Sequence, residues 1–76
     1  MRPFLHYKSR NEMLEAGVKR GDEFCIAEMP LGIIICYNNI QYKILQYDEK
    51  EEKMICCQND GTLIYIDADE NAIYLE

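Results

Sequence analysis

Short apolar runs separated by turn signals cover most of this 76-residue chain and limit the folds open to it. From Asp22 onward, runs rich in Ile, Tyr and Cys alternate with turn-forming sequences such as Asn38-Asn39 and Asn59-Asp60-Gly61, which favour tight hairpins. A parallel sheet needs crossover connections of about a dozen residues or more, and these connections are too short. The pattern therefore predicts antiparallel pairing of strands that are neighbours along the chain.

Six strands are predicted, at residues 23–28, 33–37, 41–47, 53–58, 62–66 and 72–75. Several of these strands are apolar on both faces, which a single open sheet in water does not tolerate. We therefore expect an α+β, mainly β fold in which a short N-terminal helix packs on an antiparallel meander of five or six strands. A finer expectation is closure of the meander into a small SH3-like barrel.

A short helix is predicted before the strands. Ser9 and Glu12 fit a capping box, and apolar side chains at positions 13, 14 and 18 form a stripe. Lys19 and Arg20 would lie against the negative C-terminal end of the helix, with Gly21 as a stop. An earlier end near residue 16 stays open, because the glycine that follows weakens the last turn.

Charge divides the chain at Gly21. The first twenty residues hold five basic and two acidic side chains, whereas the remaining 56 hold three lysines and twelve acids, which makes the net charge −6. We interpret the chain as a single domain, residues 1–76, with a basic helical leader over 1–21 and an acidic β-body over 22–76. Direct nucleic-acid binding is disfavoured, because it depends on positive charge.

Acidic side chains concentrate in two connections of the predicted sheet, residues 48–52 and 67–71. Alternate turns of a meander lie at the same end, so both connections would produce one negative field that steers a basic protein partner. Tyrosine is common at interfaces, and two tyrosines border these connections. The predicted partner-binding residues are Asp48, Glu49, Glu51, Glu52, Asp67, Asp69, Glu70, Tyr47 and Tyr65.

No catalytic, metal or cofactor site is predicted. His6 is the single histidine, and no motif sets a nucleophile beside it. The spacing of the four cysteines does not suit zinc, and the acidic run at 67–71 lacks the glycine and the distal glutamate of a calcium loop. Neither a secretory signal nor a membrane-spanning run is evident, so we expect a cytoplasmic, non-enzymatic protein without a membrane partner.

Three functional interpretations stay open. The preferred one is an acidic protein-binding module, whose size and charge resemble those of small virus-encoded inhibitors that occupy nucleic-acid grooves on host enzymes. Another is an oligomer that binds small molecules or nucleotides between subunits, with Arg2, Lys8 and Arg10 as candidate phosphate-binding residues. Residues 17–24 and 32–35 also resemble the helix-turn-strand-turn-strand element of AbrB-type swapped-hairpin regulators. That resemblance implies a dimer of interleaved hairpins that binds DNA through basic loops.

Overall fold

The computed structural model describes residues 7–76, in which six antiparallel strands and one short helix are present. A mainly β fold with one short helix is therefore confirmed. The elements in chain order are α1 (Arg10–Glu15), β1 (Glu23–Cys25), a 3-10 turn (Ile26–Glu28), β2 (Ile34–Tyr37), β3 (Ile40–Asp48), β4 (Lys53–Cys57), β5 (Leu63–Asp67) and β6 (Asn71–Tyr74).

The order of strands in the sheet is β1-β6-β2-β3-β4-β5, and each neighbouring pair is antiparallel. Strands β2 to β5 follow one another as predicted, but β6 lies between β1 and β2, so the predicted meander is wrong there. Phe24 of β1 faces Ala72 of β6, and Cys36 of β2 faces Ile73 on its other side. The hairpin that the swapped-hairpin resemblance implies is not formed within the chain, because β6 separates β1 from β2.

The hydrogen-bonded sheet is not closed within residues 7–76, where β1 and β5 are its two edges. The 3-10 turn bridges part of the gap, since the N–H of Ile26 donates to the carbonyl of Glu70 at 2.9 Å and the N–H of Ala27 donates to that of Ala68 at 3.2 Å. This turn replaces the second half of the strand predicted at 23–28, because Ile26 and Ala27 are both buried, which strict alternation does not allow. The expected barrel is not confirmed.

Alternation along the strands directs one set of apolar side chains into a single core. Its fully buried members are Met13, Ile26, Ile33, Ile35, Ile44, Met54 and Cys56. Burial raises the pKa of the Cys56 thiol to about 11, so the thiol stays protonated at neutral pH. All four cysteines fall within the described residues, and no disulfide joins them.

A β-bulge in β3 changes which side chains of this long strand face the core. Ile44 pairs with Cys56, but the next pair is Gln46 with Ile55, so Leu45 is the extra residue of the bulge. Before the bulge, Ile44 is fully buried, and after it Tyr47 faces the buried Met54. The bulge therefore turns Tyr47 towards the core side of the sheet.

Helix α1 begins at the predicted cap. The Ser9 hydroxyl accepts a hydrogen bond from the N–H of Glu12 at 3.1 Å, as expected for an N-cap. The helix ends at Glu15, before Gly17, whose φ of 97° is in the left-handed region that glycine tolerates. Met13 is fully buried among the core side chains of the sheet and so attaches the helix to it.

Two basic residues lie beyond the helix, so the prediction that they stabilise its C-terminal end is wrong. The backbone N–H of Lys19 donates to the carboxylate of Asp22 at 2.8 Å, and this bond supports the turn into β1. The Arg20 guanidinium lies 3.9 Å from the carboxylate of Glu76, with both side chains largely exposed. Such an exposed pair adds little to stability.

The two predicted hairpin turns are present, with the backbone angles and hydrogen bonds expected for them. Asn38 and Asn39 have φ angles of 53° and 66° and join β2 to β3, as a two-residue turn of the primed type requires. In the β4–β5 turn, the Asp60 carboxylate accepts a hydrogen bond from the N–H of Thr62 at 2.9 Å. That bond holds the pKa of Asp60 below its usual value.

Candidate protein-binding site

The two acidic connections lie side by side in the structure. The N–H of Ala68, in the β5–β6 connection, donates to the carbonyl of Glu52, in the β3–β4 connection, at 3.0 Å. The strand register explains this contact, because Lys53 at the start of β4 faces Asp67 at the end of β5. Here we define the acidic pole as the carboxylates of these connections, namely Asp48, Glu49, Glu51, Glu52, Asp67, Asp69 and Glu70.

Most of the acidic pole faces solvent. Its carboxylate side chains are exposed apart from that of Asp48, which is half-buried. The ammonium of Lys53 binds the carboxylate of Asp67, and Lys50 lies within the β3–β4 connection itself. Two lysines against seven carboxylates leave the pole with a net negative charge. Such a surface attracts positively charged groups.

The β3–β4 connection is shaped by its own acidic residues. The Asp48 carboxylate accepts a hydrogen bond from the N–H of Glu51 at 3.2 Å, so this side chain stabilises the turn. Glu52 has a φ of 54°, a left-handed conformation that a residue with a side chain rarely adopts. That conformation costs about 1 kcal/mol or more. The hydrogen bond from the N–H of Ala68 to the Glu52 carbonyl helps to hold it.

Tyr47 lies at the acidic pole on the core side of the sheet. Its ring is half-buried and packs against the core. Burial raises the pKa of Tyr47, and the negative charges of Glu52, Glu49 and Asp69 raise it further. Acidic residues of both connections therefore act on the same phenol, although Tyr47 offers only part of its surface to a partner.

Tyr65 lies on the opposite face of the sheet. It pairs with Ile55 in the register of β4 and β5, whereas Tyr47 pairs with Met54. The Tyr65 side chain is 57% exposed and shares its face with Asp67, two residues further along β5. The structure thus separates the two predicted aromatic anchors, and only Tyr65 presents a large exposed ring.

Tyr37 is a further site residue, which the sequence analysis did not select. Its hydroxyl donates a hydrogen bond to the Glu70 carboxylate at 2.7 Å. This bond raises the pKa of Tyr37, with smaller contributions from burial and from the charges of Glu70 and Asp67. The only sequence signal was its place directly before the Asn38-Asn39 turn, which does not indicate contact with Glu70.

The candidate phosphate-binding residues lie elsewhere or outside the described chain. Lys8 and Arg10 are exposed at the start of α1, and the guanidinium of Arg10 reaches the carbonyl of Gly32 at 3.5 Å. Arg2 and His6 fall outside residues 7–76. No contact between Arg10 and the acidic pole is found in the described part of the chain, so the pole is not neutralised by that arginine.

We expect the Glu70→Gln substitution to lower the pKa of Tyr37 towards its ordinary value, because the variant removes an anionic acceptor from the phenol. Carbon NMR of the tyrosine rings, followed from roughly pH 9 to 12, measures this shift. The folded protein keeps this proton where the unfolded chain loses it, so the pair favours folding less as pH rises above about 10.

The matched control for this titration is Glu52→Gln. Glu52 raises the pKa of Tyr47 but is not among the causes for Tyr37, so this variant should lower the pKa of Tyr47 alone. A Tyr37 pKa that is the same in Glu70→Gln and in the unmodified protein would contradict the hydrogen bond.

Comparison with known proteins assigns no family to the chain. No protein-family model matches it, and a search of the curated proteins found no match. Within residues 7–76, no three His, Cys, Asp or Glu side chains converge as metal ligands. Over the same residues, the helical segment is too short to cross a lipid bilayer. Function is therefore inferred from the residues of the site.

Proposed function

We propose that the chain is a cytoplasmic, non-enzymatic module that binds a basic surface of a nucleic-acid-binding protein or enzyme and inhibits or regulates it. The observation that carries the proposal is the backbone bond from Ala68 to Glu52, which holds the two acidic connections together. Like charges held close together repel one another and reduce stability. A basic partner surface would offset that repulsion, so binding would favour the conformation in which the two acidic connections lie together.

The electrostatics favour a protein partner over a nucleic acid. The net charge is −6, and a phosphate backbone would be repelled by the acidic pole. A nucleic-acid-binding protein, in contrast, carries a basic groove whose charge complements the pole, and such complementarity mainly speeds association. Tyr65 adds exposed aromatic area on the face that also carries Asp67.

The test compares two variants of equal net charge. One replaces Glu49, Glu51 and Glu52 by lysine, and the other replaces three exposed acids away from the pole, Glu12, Glu15 and Glu76, by lysine. Each change brings the net charge from −6 to zero, so a difference between the variants reports where the charge lies. Circular dichroism and light scattering are used to check that both variants remain folded and monodisperse.

Association rates are measured with the proteins that the unmodified chain retains from a cell extract. At low salt, we expect the pole variant to associate about 10-fold or more slowly, whereas the control loses much less. Duplex DNA should compete with the unmodified chain for the retained protein. Equal rates for the two variants, or retained proteins that lack a basic surface, would contradict the proposal.

A further inference from the structure

A shallow depression lies next to the acidic pole, between the β2–β3 turn and the start of β6. Its volume is about 350 Å³, and it is open to solvent. This is near the lower limit of the roughly 300–1,000 Å³ typical of small-molecule sites, so it suits a side chain better than a cofactor. The residues that matter for its chemistry are Glu23, Cys36, Tyr37, Asn38, Asn71 and Ile73.

The depression is connected directly to the acidic pole. Tyr37 lines it and donates its hydroxyl hydrogen to Glu70, which belongs to the pole. Asn71 also lines it and is the next residue after Glu70. The depression therefore borders the acidic pole.

Glu23, Asn71 and Tyr37 offer mainly hydrogen-bond acceptors to a ligand. Glu23 accepts a hydrogen bond from the side-chain amide of Asn71 at 3.2 Å, so one N–H of that amide is already used. The hydroxyl hydrogen of Tyr37 is used as well, in its bond to Glu70. At these three residues, what remains available is mainly the second carboxylate oxygen of Glu23, the amide oxygen of Asn71 and the lone pairs of the phenol, whereas Asn38 and Asn39 offer both donors and acceptors. A ligand rich in N–H donors and positively charged matches these groups.

The lining of the depression also includes apolar side chains. Cys36 and Ile73 face each other across β2 and β6, and Ile73 also faces Glu23 across β6 and β1. The Ile73 side chain is 38% exposed, and that of Cys36 is half-buried. A hydrocarbon surface beside a carboxylate suits a side chain with an apolar stem and a cationic head.

We propose that this depression binds an arginine side chain of the basic partner. The stem of the arginine would pack on Cys36 and Ile73, while its guanidinium binds the carboxylate of Glu23 and the amide oxygen of Asn71, which lie on the same face of the sheet. Arginine fits better than lysine, because its planar guanidinium carries five N–H donors and can reach both of these acceptor oxygens at once. The inference rests on the proposed function, since it names a residue type in the partner of the same acidic surface.

The test uses end-blocked tetra-arginine and tetra-lysine peptides, which carry the same charge. Both peptides are titrated into the protein, with NMR observation of the Asn71 side-chain amide and the backbone amides of Asn38 and Ile73. We expect tetra-arginine to shift these signals and to bind a few-fold more tightly than tetra-lysine. Glu23→Gln should weaken tetra-arginine binding about 5-fold to 10-fold and tetra-lysine binding less.

The control is Glu15→Gln, which removes one exposed negative charge from α1 and should leave the affinity for tetra-arginine nearly unchanged. Equal affinities for the two peptides, together with no effect of Glu23→Gln, would overturn the arginine site. The result is separable from that of the proposed function. Loss of the arginine preference with an intact effect of pole reversal removes only the arginine site, whereas the opposite pattern removes only steering by the pole.

Discussion

Replacing Met13 by alanine is expected to lower the free energy of unfolding by about 2–5 kcal/mol, the range measured for large-to-small changes in protein cores. Met13 is fully buried, and it is the one buried residue of the six-residue helix α1. A helix this short does not persist alone in water, so it depends on packing against the sheet. The urea midpoint of unfolding should fall by more than about 1 M.

Leu14→Ala is the matched control for this change. Leu14 is the next residue of the same helix, but its side chain is 46% exposed, so truncation should cost less than about 1 kcal/mol. Amide hydrogen exchange distinguishes the two variants further, since the amides of α1 should exchange faster only in Met13→Ala. Equal losses of stability in the two variants would show that the helix does not dock through Met13.

The Ile44→Ala substitution should also destabilise the protein by about 2–5 kcal/mol. Ile44 is fully buried in β3, the longest strand, which pairs with both β2 and β4. Removing its side chain leaves a cavity that the strands on either side cannot fill without distortion. Since small domains lose about 4–8 °C of melting temperature for each kcal/mol, the midpoint should fall by about 10 °C or more.

The neighbouring residue again provides the control. Leu45 occupies the bulge and is 42% exposed, so we expect Leu45→Ala to change the melting temperature by only a few degrees. The pair also tests the position of the bulge, because a regular strand without it would bring different side chains to the core. A larger loss in Leu45→Ala than in Ile44→Ala would contradict the register of β3 and β4.

Local signals in the sequence predicted the turns and the helix cap well. Asn38-Asn39 and the Ser9 cap act over two or three residues, and both have the predicted geometry. The place of β6 could not be predicted in this way, because its partners in β1 and β2 are remote in sequence. Loop lengths favoured a position for β6 next to β5. The 3-10 turn at Ile26–Glu28 instead carries the chain away from β1, so β2 does not pair with β1 and β6 lies between them.

The acidic pole was predictable in composition but only partly in geometry. The acids were evident as two runs, whereas their contact depends on the register of Lys53 with Asp67. The separation of Tyr47 from Tyr65 follows from the bulge at Leu45, which no residue type signals. The contact between Tyr37 and Glu70 spans 33 positions and exists because β6 pairs with β2, so it could not be inferred from local patterns.

The position of β6 also determines the order in which the protein can fold. The three hairpins that join β2, β3, β4 and β5 in succession can form as soon as each emerges from the ribosome. Strand β1, in contrast, has no neighbouring strand until β6 (Asn71–Tyr74) is synthesised. Ala72 and Tyr74 then bury their side chains between strands that are already in place. A nascent chain that stops at Glu70 therefore keeps β1 unpaired and part of the core open to water, so completion of the sheet waits for the synthesis of β6.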